Sequence, residues 1–512
     1  MSSIKTNTIA EFGDYQTPTA LAGRACALLH EMGITANSVV EPTCGRGAFL
    51  FAAANRWRSA REMIGFEWND QHLIAARRES DQVDPKIRLE QANFFCVDWE
   101  TRLGDLPEPL LVIGNPPWVT NSHVSALGGS NLPRKSNFQG HSGLDAITGK
   151  ANFDISEWML IRLAEALNGR VATLAMLVKS VVARKVLLHC WKHRFPISDA
   201  RIFKIDALAE FNAAVDASLL VVRFGSVRAE PAAKVYADLT LAKPPVSTIG
   251  LGGQTVVADL EAYQETRHLA GKSSLKWRSG IKHDCSKVME LRREHSGFRN
   301  GLGEVVDLEP DFLFPMLKTS EVANGNGGRC TRWMIVTQRR IGDCTADIER
   351  LAPKTWRYLQ SHADLMSKRG STIYRDKPLF SIFGVGDYSF APFKVAISGM
   401  YKTLRFVKVT SCDGKPVVLD DVTNFVPCPS EAAADLMLSM LESPIAQAFF
   451  HAHVFWDAKR PITIDLLGKM NLNALAAELG CLPEFESHFR SSYSELRKRK
   501  RVKPSHAGSS LF

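Results

Sequence analysis

Apolar positions fall in two rhythms along this chain. Short unbroken runs, such as Leu110-Leu111-Val112-Ile113-Gly114 and residues 171–178, read as strands buried on both faces. Spacings of three and four, as in Leu21, Ala25, Leu28 and Leu29, read as amphipathic helices. Strands alternating with helices predict an α/β fold, a Rossmann-like, mostly parallel sheet with helices on both faces. In order, a helix follows Thr17-Pro18, with Thr17 as its cap and Pro18 in its first turn. A strand ends at Glu41, a glycine-bearing turn follows, and a helix runs through Trp57. Further strands are expected at residues 63–67, 87–90, 110–114 and 171–178, and a last one through Val222.

The rhythm stops twice. Residues 119–150 are rich in Gly, Ser and Asn, with the basic pair Arg134-Lys135, and read as a lid or a nucleic-acid-contacting loop, or as plain disorder. Residues 226–245, with Pro231, Pro244 and Pro245, read as a linker. The expected division is therefore a first domain over 1–225, a linker over 226–245, a second mixed α/β domain over 246–490 and a tail over 491–512. Helices are expected in the second domain around residues 431–442 and 473–479.

Composition narrows the classes. At 512 residues the chain has ample core for several domains. No apolar run is long enough to span a bilayer; the best, residues 171–182, is broken by Lys179. No basic start followed by an apolar stretch opens the chain, and ten cysteines include no C-x-x-C pair. That argues against structural zinc or another metal site and for reduced thiols in a cytosol. Residues 1–225 carry 24 Lys and Arg against 23 Asp and Glu, so nearly all of the net +9 lies beyond them. Six cations stand in Arg497-Lys498-Arg499-Lys500-Arg501-Val502-Lys503, a tail suited to phosphate contact or simply to solvation.

The chemistry gathers at strand ends. After the run 110–114 comes Asn115-Pro116-Pro117-Trp118. Two prolines cannot continue a ladder, so the chain leaves the sheet in a stiff turn where open parallel sheets bind ligands. The Asn115 amide oxygen and the Pro116 carbonyl can accept the two protons of an exocyclic amine, and Trp118 can stack on its ring. The other reading is a proline-rich strand end with a packed tryptophan. Glu41 precedes the turn Pro42-Thr43-Cys44-Gly45-Arg46-Gly47, whose glycines let the backbone approach a ligand. This is not G-x-G-x-x-G, so a nicotinamide cofactor is disfavoured. The carboxylate would repel a pyrophosphate and attract a cation. Glu67, at the next strand end, suits ribose hydroxyls. Asn93 and Phe94 suit a purine.

These features together describe a site for S-adenosylmethionine beside a clamp for a planar amine. Here the chain resembles the amino-methylating DNA methyltransferases, and more closely the gamma subgroup of adenine-N(6) enzymes of restriction–modification systems. The motif order is the subgroup's: helix start, glycine turn, Asn-Pro-Pro-aromatic, recognition domain last. The resemblance implies a seven-stranded methyltransferase sheet followed by a DNA target recognition domain. It implies that Thr17, Pro18, Glu41, Cys44, Gly45 and Gly47 lie around the cofactor's methionine end, Glu67 at its ribose, and Asn93 with Phe94 at its adenine, and that Asn115 touches the cofactor as well as the amine. Phe153 would pack against the cofactor and the target base. Phe211 would stack on the face of the flipped adenine opposite Trp118. Both also read as core aromatics. The family more often has Asp where this chain has Asn93, and Tyr where it has Trp118.

In the second half, Lys276-Trp277-Arg278 with Lys282, and Gln338-Arg339-Arg340, interleave cations with groups apt for reading bases, although ordinary surface loops look similar. The expected partner is double-stranded DNA, acted on by a bacterial cytoplasmic monomer whose companion restriction endonuclease is a separate chain. Cytosine-N(4) enzymes usually carry Ser-Pro-Pro. Glutamine methylators of release factors and ribosomal RNA adenine methylators are shorter. No Asp…Glu-x-Lys nuclease constellation is visible.

Overall fold

The computed structural model describes residues 16–119, 154–273, 275–294 and 297–489. Phe153, Arg134, Lys135 and the basic tail lie outside the described residues. The chain divides into two compact units, Met1–Glu261 and Ala262–Phe512.

The first unit is built on one ten-stranded sheet. Its strands are β1 Ser38–Glu41, β2 Glu62–Glu67, β3 Ile87–Gln91, β4 Leu110–Gly114, β5 Ala172–Lys179, β6 Ile197–Ile205, β7 Ala217–Phe224, β8 Ala232–Tyr236, β9 Ser247–Gly252 and β10 Thr255–Val257. They lie in the order β10-β9-β8-β6-β7-β5-β4-β1-β2-β3. From β3 to β5 every pairing is parallel, whereas β7 runs antiparallel between β5 and β6. Strand β4 shows why the parallel part reads as unbroken apolar sequence. Leu110, Leu111, Val112 and Ile113 are all fully buried, so both faces are covered.

The helices of this unit are α1 Thr19–Glu31, α2 Ala48–Arg56, α3 Asp70–Val83, α4 Trp99–Gly104, α5 Ile155–Ala166, α6 Ser180–Lys192 and α7 Ala207–Phe211. One core joins Leu21, Ala25 and Leu29 of α1 and Phe49 and Ala53 of α2 to Val39, Leu111, Ile113 and Leu177 of the sheet.

Two expectations change here. Thr17 does not cap α1: Pro18 occupies the N-cap position, and the Thr17 hydroxyl bonds elsewhere. The stretch 226–245 is not merely a linker, because β8 within it pairs in parallel with β6 and carries β9 and β10. Its prolines punctuate a short strand near the end of the sheet, where missing N–H donors are tolerated. The sheet thus holds the expected seven strands and three more.

The second unit, taken by itself, is mixed α/β. It has a four-stranded sheet of Arg278–Ser279, Thr423–Cys428, Phe393–Ser398 and Phe406–Val409, in that order. It also has a six-stranded sheet that includes Glu290–Glu294, Leu313–Leu317 and Arg332–Ile335. Helices Glu431–Leu441, Pro444–His453 and Leu472–Glu478 share a core with the first of these, through Val395, Ile397, Val426, Met437 and Phe449.

Candidate active site

Strand β1 pairs with β2 on one side and β4 on the other, so the chain order reverses there. Ligands of open α/β sheets bind beyond the strand ends at such a reversal. Glu41 closes β1 and Asn115 follows β4 at that place.

The Asn115 side-chain nitrogen donates to the Thr17 hydroxyl at 3.2 Å, which ties the strand end to the segment before α1. Pro116 is buried. Trp118 is buried too, and its indole N–H donates to the Leu177 carbonyl of β5 at 3.2 Å. The Trp118 carbonyl accepts from Lys179 Nζ at 3.0 Å, and the same ammonium pairs with Asp154 at 2.7 Å. Asp154 also caps α5 through the Ser156 N–H. The proline turn is therefore clamped by a cation at the end of β5 and a carboxylate at the start of α5.

The Trp118 and Phe211 rings are brought together, edge to face, with centroids 5.1 Å apart and an interplanar angle of 70°. That differs from two parallel walls: rings in contact leave no slot for a base between them. Trp118 is held by bonds from both its ring and its backbone, while Phe211 is half-buried at the end of the five-residue α7.

The glycine turn is drawn tight by carboxylates. Glu41 is 3% exposed and accepts from the Leu50 N–H at 3.0 Å. Burial, with the Glu67 charge adding a smaller push, raises its carboxyl well above the usual range. Glu67 accepts from the N–H groups of Gly45 at 2.8 Å and Asn69 at 2.7 Å. Gln16 accepts from the Arg46 N–H at 3.2 Å. Gly45 and Gly47 have φ of +53° and +87°. A Cβ on Gly45 would stand 2.6 Å from Gln16 Oε1, and one on Gly47 2.6 Å from the Phe51 ring. Cys44 is buried, and its thiol is pushed up by that burial and by both carboxylates. A buried carboxylate under a turn that needs glycine at positions 45 and 47 fits a ligand that brings a positive charge and lies against backbone.

Asn93 caps the 3₁₀ turn Phe94–Cys96, its oxygen accepting from the Phe95 N–H at 3.0 Å. The amide nitrogen is thus the end left for a ligand acceptor. The Phe94 ring points into a cluster, 4.7 Å from Trp99, and is buried. Phe95 is the half-exposed ring of the pair, 5.4 Å from Trp158.

In the second unit the structure sorts the basic residues. Lys276 is exposed, but Trp277 belongs to the core. Lys282 pairs with Asp284 at 2.7 Å. Gln338 is buried with both amide ends bonded to backbone, from Ile382 N–H and to the Asp343 carbonyl, each at 2.8 Å, so it is not placed to read a base. Arg278, Arg339 and Arg340 converge on one turn, Asp387–Phe390.

Lys179, Asp154 and Gln16 escaped the sequence reading. Lys179 carried a signal, a lone cation ending an otherwise apolar strand, but its partners lie far away in sequence. Among the described residues, no group of three or more His, Cys, Asp or Glu side chains forms a metal site.

No protein-family model matches the chain. It is 42% identical over 471 residues to the Type II methyltransferase M.NspV of Nostoc sp. (strain ATCC 29411 / PCC 7524), covering 92% of this chain and 98% of that one. Among solved structures, the Type IIL restriction–modification enzyme MmeI in complex with DNA superposes with a TM-score of 0.57 at 13% identity, over 97% of this chain and 74% of that one. That likeness concerns the fold. With this relative and this fold, the chain belongs to the Type II methyltransferases, S-adenosylmethionine-dependent enzymes of restriction–modification systems.

Proposed function

We propose that this protein is a site-specific DNA adenine-N(6) methyltransferase. The observation that carries the reading is the Asn115–Thr17 bond at the sheet's reversal point, beside the buried Glu41. With its nitrogen on Thr17, the Asn115 amide offers its oxygen as acceptor to an exocyclic amine.

Bound S-adenosylmethionine supplies an electrophilic methyl group. The fit of the chain to it rests on Glu41 for the ammonium, the Gly45–Gly47 turn for the backbone approach, Glu67 for the ribose and Asn93 for the purine. Because the Asn93 oxygen is engaged, its nitrogen would donate to a ring nitrogen. An Asp at this position could only accept. The half-exposed Phe95 is better placed than Phe94 to cover that ring.

A base inside a duplex is out of reach, so the target nucleotide is flipped out at a cost of a few kcal/mol. Stacking on aromatic faces offsets this by roughly 1–3 kcal/mol per base. Trp118 serves as the fixed face, and Phe211 moves aside to admit the base. Asn115 Oδ1 and the Pro116 carbonyl hold the amine protons and localise the nitrogen lone pair. S-adenosylmethionine held by Glu41, Glu67 and Asn93 would supply the methyl group to that pair, and one amine proton would pass to water. The residues act by positioning and electrostatics.

The second unit serves as the target recognition domain. The reaction protects host DNA against a companion endonuclease carried on a separate chain. The DNA substrate draws support from the family and from the DNA-bound neighbour. The test is Asn115→Ala in the full chain. Methyl transfer to duplex DNA is expected to vanish while S-adenosylmethionine still binds; full activity would refute the role. Transfer by the native protein to cytosine, RNA or a glutamine peptide, with adenine unmodified, would replace the substrate reading.

A further inference from the structure

One four-residue turn in the second unit carries three arginines from two distant segments. The guanidinium of Arg278 stands 4.5 Å over the Tyr388 ring, and that of Arg339 stands 4.3 Å over Phe390 and 5.0 Å over Phe314. Arg340 is held side-on by Asp387, through Nε at 3.2 Å and Nη2 at 2.8 Å. The segment bearing Arg339 and Arg340 is itself braced. Asp343 accepts both their backbone N–H groups, at 3.1 and 2.7 Å, and the buried Thr337 and Gln338 bond to the backbone at Phe380 and Ile382. Arg339 and Arg340 are nevertheless exposed, and Arg339 pairs with no carboxylate among the described residues.

We propose that Arg278, Arg339 and Arg340, fixed on the turn Asp387–Phe390, read guanine in the major groove of the target site, with Arg339 the principal reader. The proposal rests on the DNA methyltransferase reading and deepens it. An arginine fork matches the O6 and N7 acceptors of guanine, the commonest specific contact in that groove. A contact that carries sequence information needs its fork held in one orientation, and an aromatic floor and a bidentate carboxylate supply that. Phosphate contacts make no such demand, since a lysine can serve them as a flexible point charge.

The test uses the full chain with Arg339→Lys, which keeps the charge and removes the fork. Sequencing the methylated adenines in a host expressing the native protein first defines its site. The site is expected to contain guanine. In the variant, methylation at that site should fall about ten- to a hundredfold and spread to sites with another base at one guanine position. Arg340→Lys should act likewise, and Asp387→Asn should weaken discrimination less. Thermal melts of each variant beside the native protein report that the second unit is folded. A native site without guanine overturns the proposal. So does an unchanged site and rate in Arg339→Lys, or an equal loss over all sequences with the site unchanged, which marks a contact that carries no sequence information; in these cases the methyltransferase reading stands. Failure of the native protein to methylate any DNA overturns that reading and this proposal with it.

Discussion

Asn115 and Thr17, 98 residues apart in sequence, are joined by a hydrogen bond from the amide nitrogen of one to the hydroxyl of the other. The bond ties the amide to the segment that precedes α1. Thr17→Val keeps the shape and removes the acceptor. Turnover is expected to fall about five- to tenfold, the value of one hydrogen bond of roughly 1 kcal/mol. Cofactor affinity should fall by less than the rate does, although Thr17 is also expected beside the cofactor's methionine end. Thr17→Ser should restore most of the rate. Single-turnover methylation read beside cofactor titration separates the two effects.

The Lys179–Asp154 pair should matter first to stability. Its side chains are 21% and 10% exposed, so removing one partner leaves a partly buried charge and takes the lysine's bond from the Trp118 carbonyl. Lys179→Met is expected to destabilise the protein by about 2 kcal/mol, below the 3–5 kcal/mol typical of a fully buried pair. Urea unfolding of the two proteins at one pH measures it.

Glu41 gives the first unit an inverted pH response. Its folded-state pKa lies above the unfolded one, so the folded chain binds more protons between the two. Stability is then whole below the unfolded value, near 4.5, and declines as pH rises through the folded value. Glu41→Gln should remove that decline and leave the cofactor-free protein more stable at pH 8. It should also weaken S-adenosylmethionine binding by at least about tenfold, the scale of a hydrogen bond to a charged group. Thermal melts across pH, with and without the cofactor, test both halves.

Lys394 makes an opposite prediction for the second unit. It is 1% exposed on strand Phe393–Ser398, with its ammonium donating to the carbonyls of Ala391 and of Val417, the latter at 2.9 Å. Burial pushes its pKa down to about 7. Between there and the ordinary value of 10.5 the unfolded chain binds more protons, so stability rises with pH over that window. Lys394→Met should flatten the rise and raise stability at pH 6. A variant that melts lower than the native protein at pH 6 would contradict this account.

Much of the first unit was legible because its signals are local. The run 110–114, the proline stop and the carboxylates at strand ends each follow from a few adjacent residues. What stayed hidden depends on distant partners. Thr17 looked like a helix cap because nothing nearby reveals that Asn115 claims its hydroxyl. Phe94 and Phe95 are indistinguishable as letters, and only Trp99 decides which ring goes inward. Strand β8 escaped because five residues between prolines carry little periodicity. Gln338 looked like a surface reader because its two backbone partners, at Asp343 and Ile382, belong to other turns.

The three strands added beyond β6 bear on association between copies of the chain. An open sheet exposes N–H and C=O groups along its outermost strands, and those rows can recruit a neighbour. Here one border is β10, only three residues long, and the other is β3, where Arg88 and Glu90 are tied to Glu62 and Arg102. Among the described residues, a stub at one margin and paired charges at the other offer no long apolar template for edge-to-edge pairing.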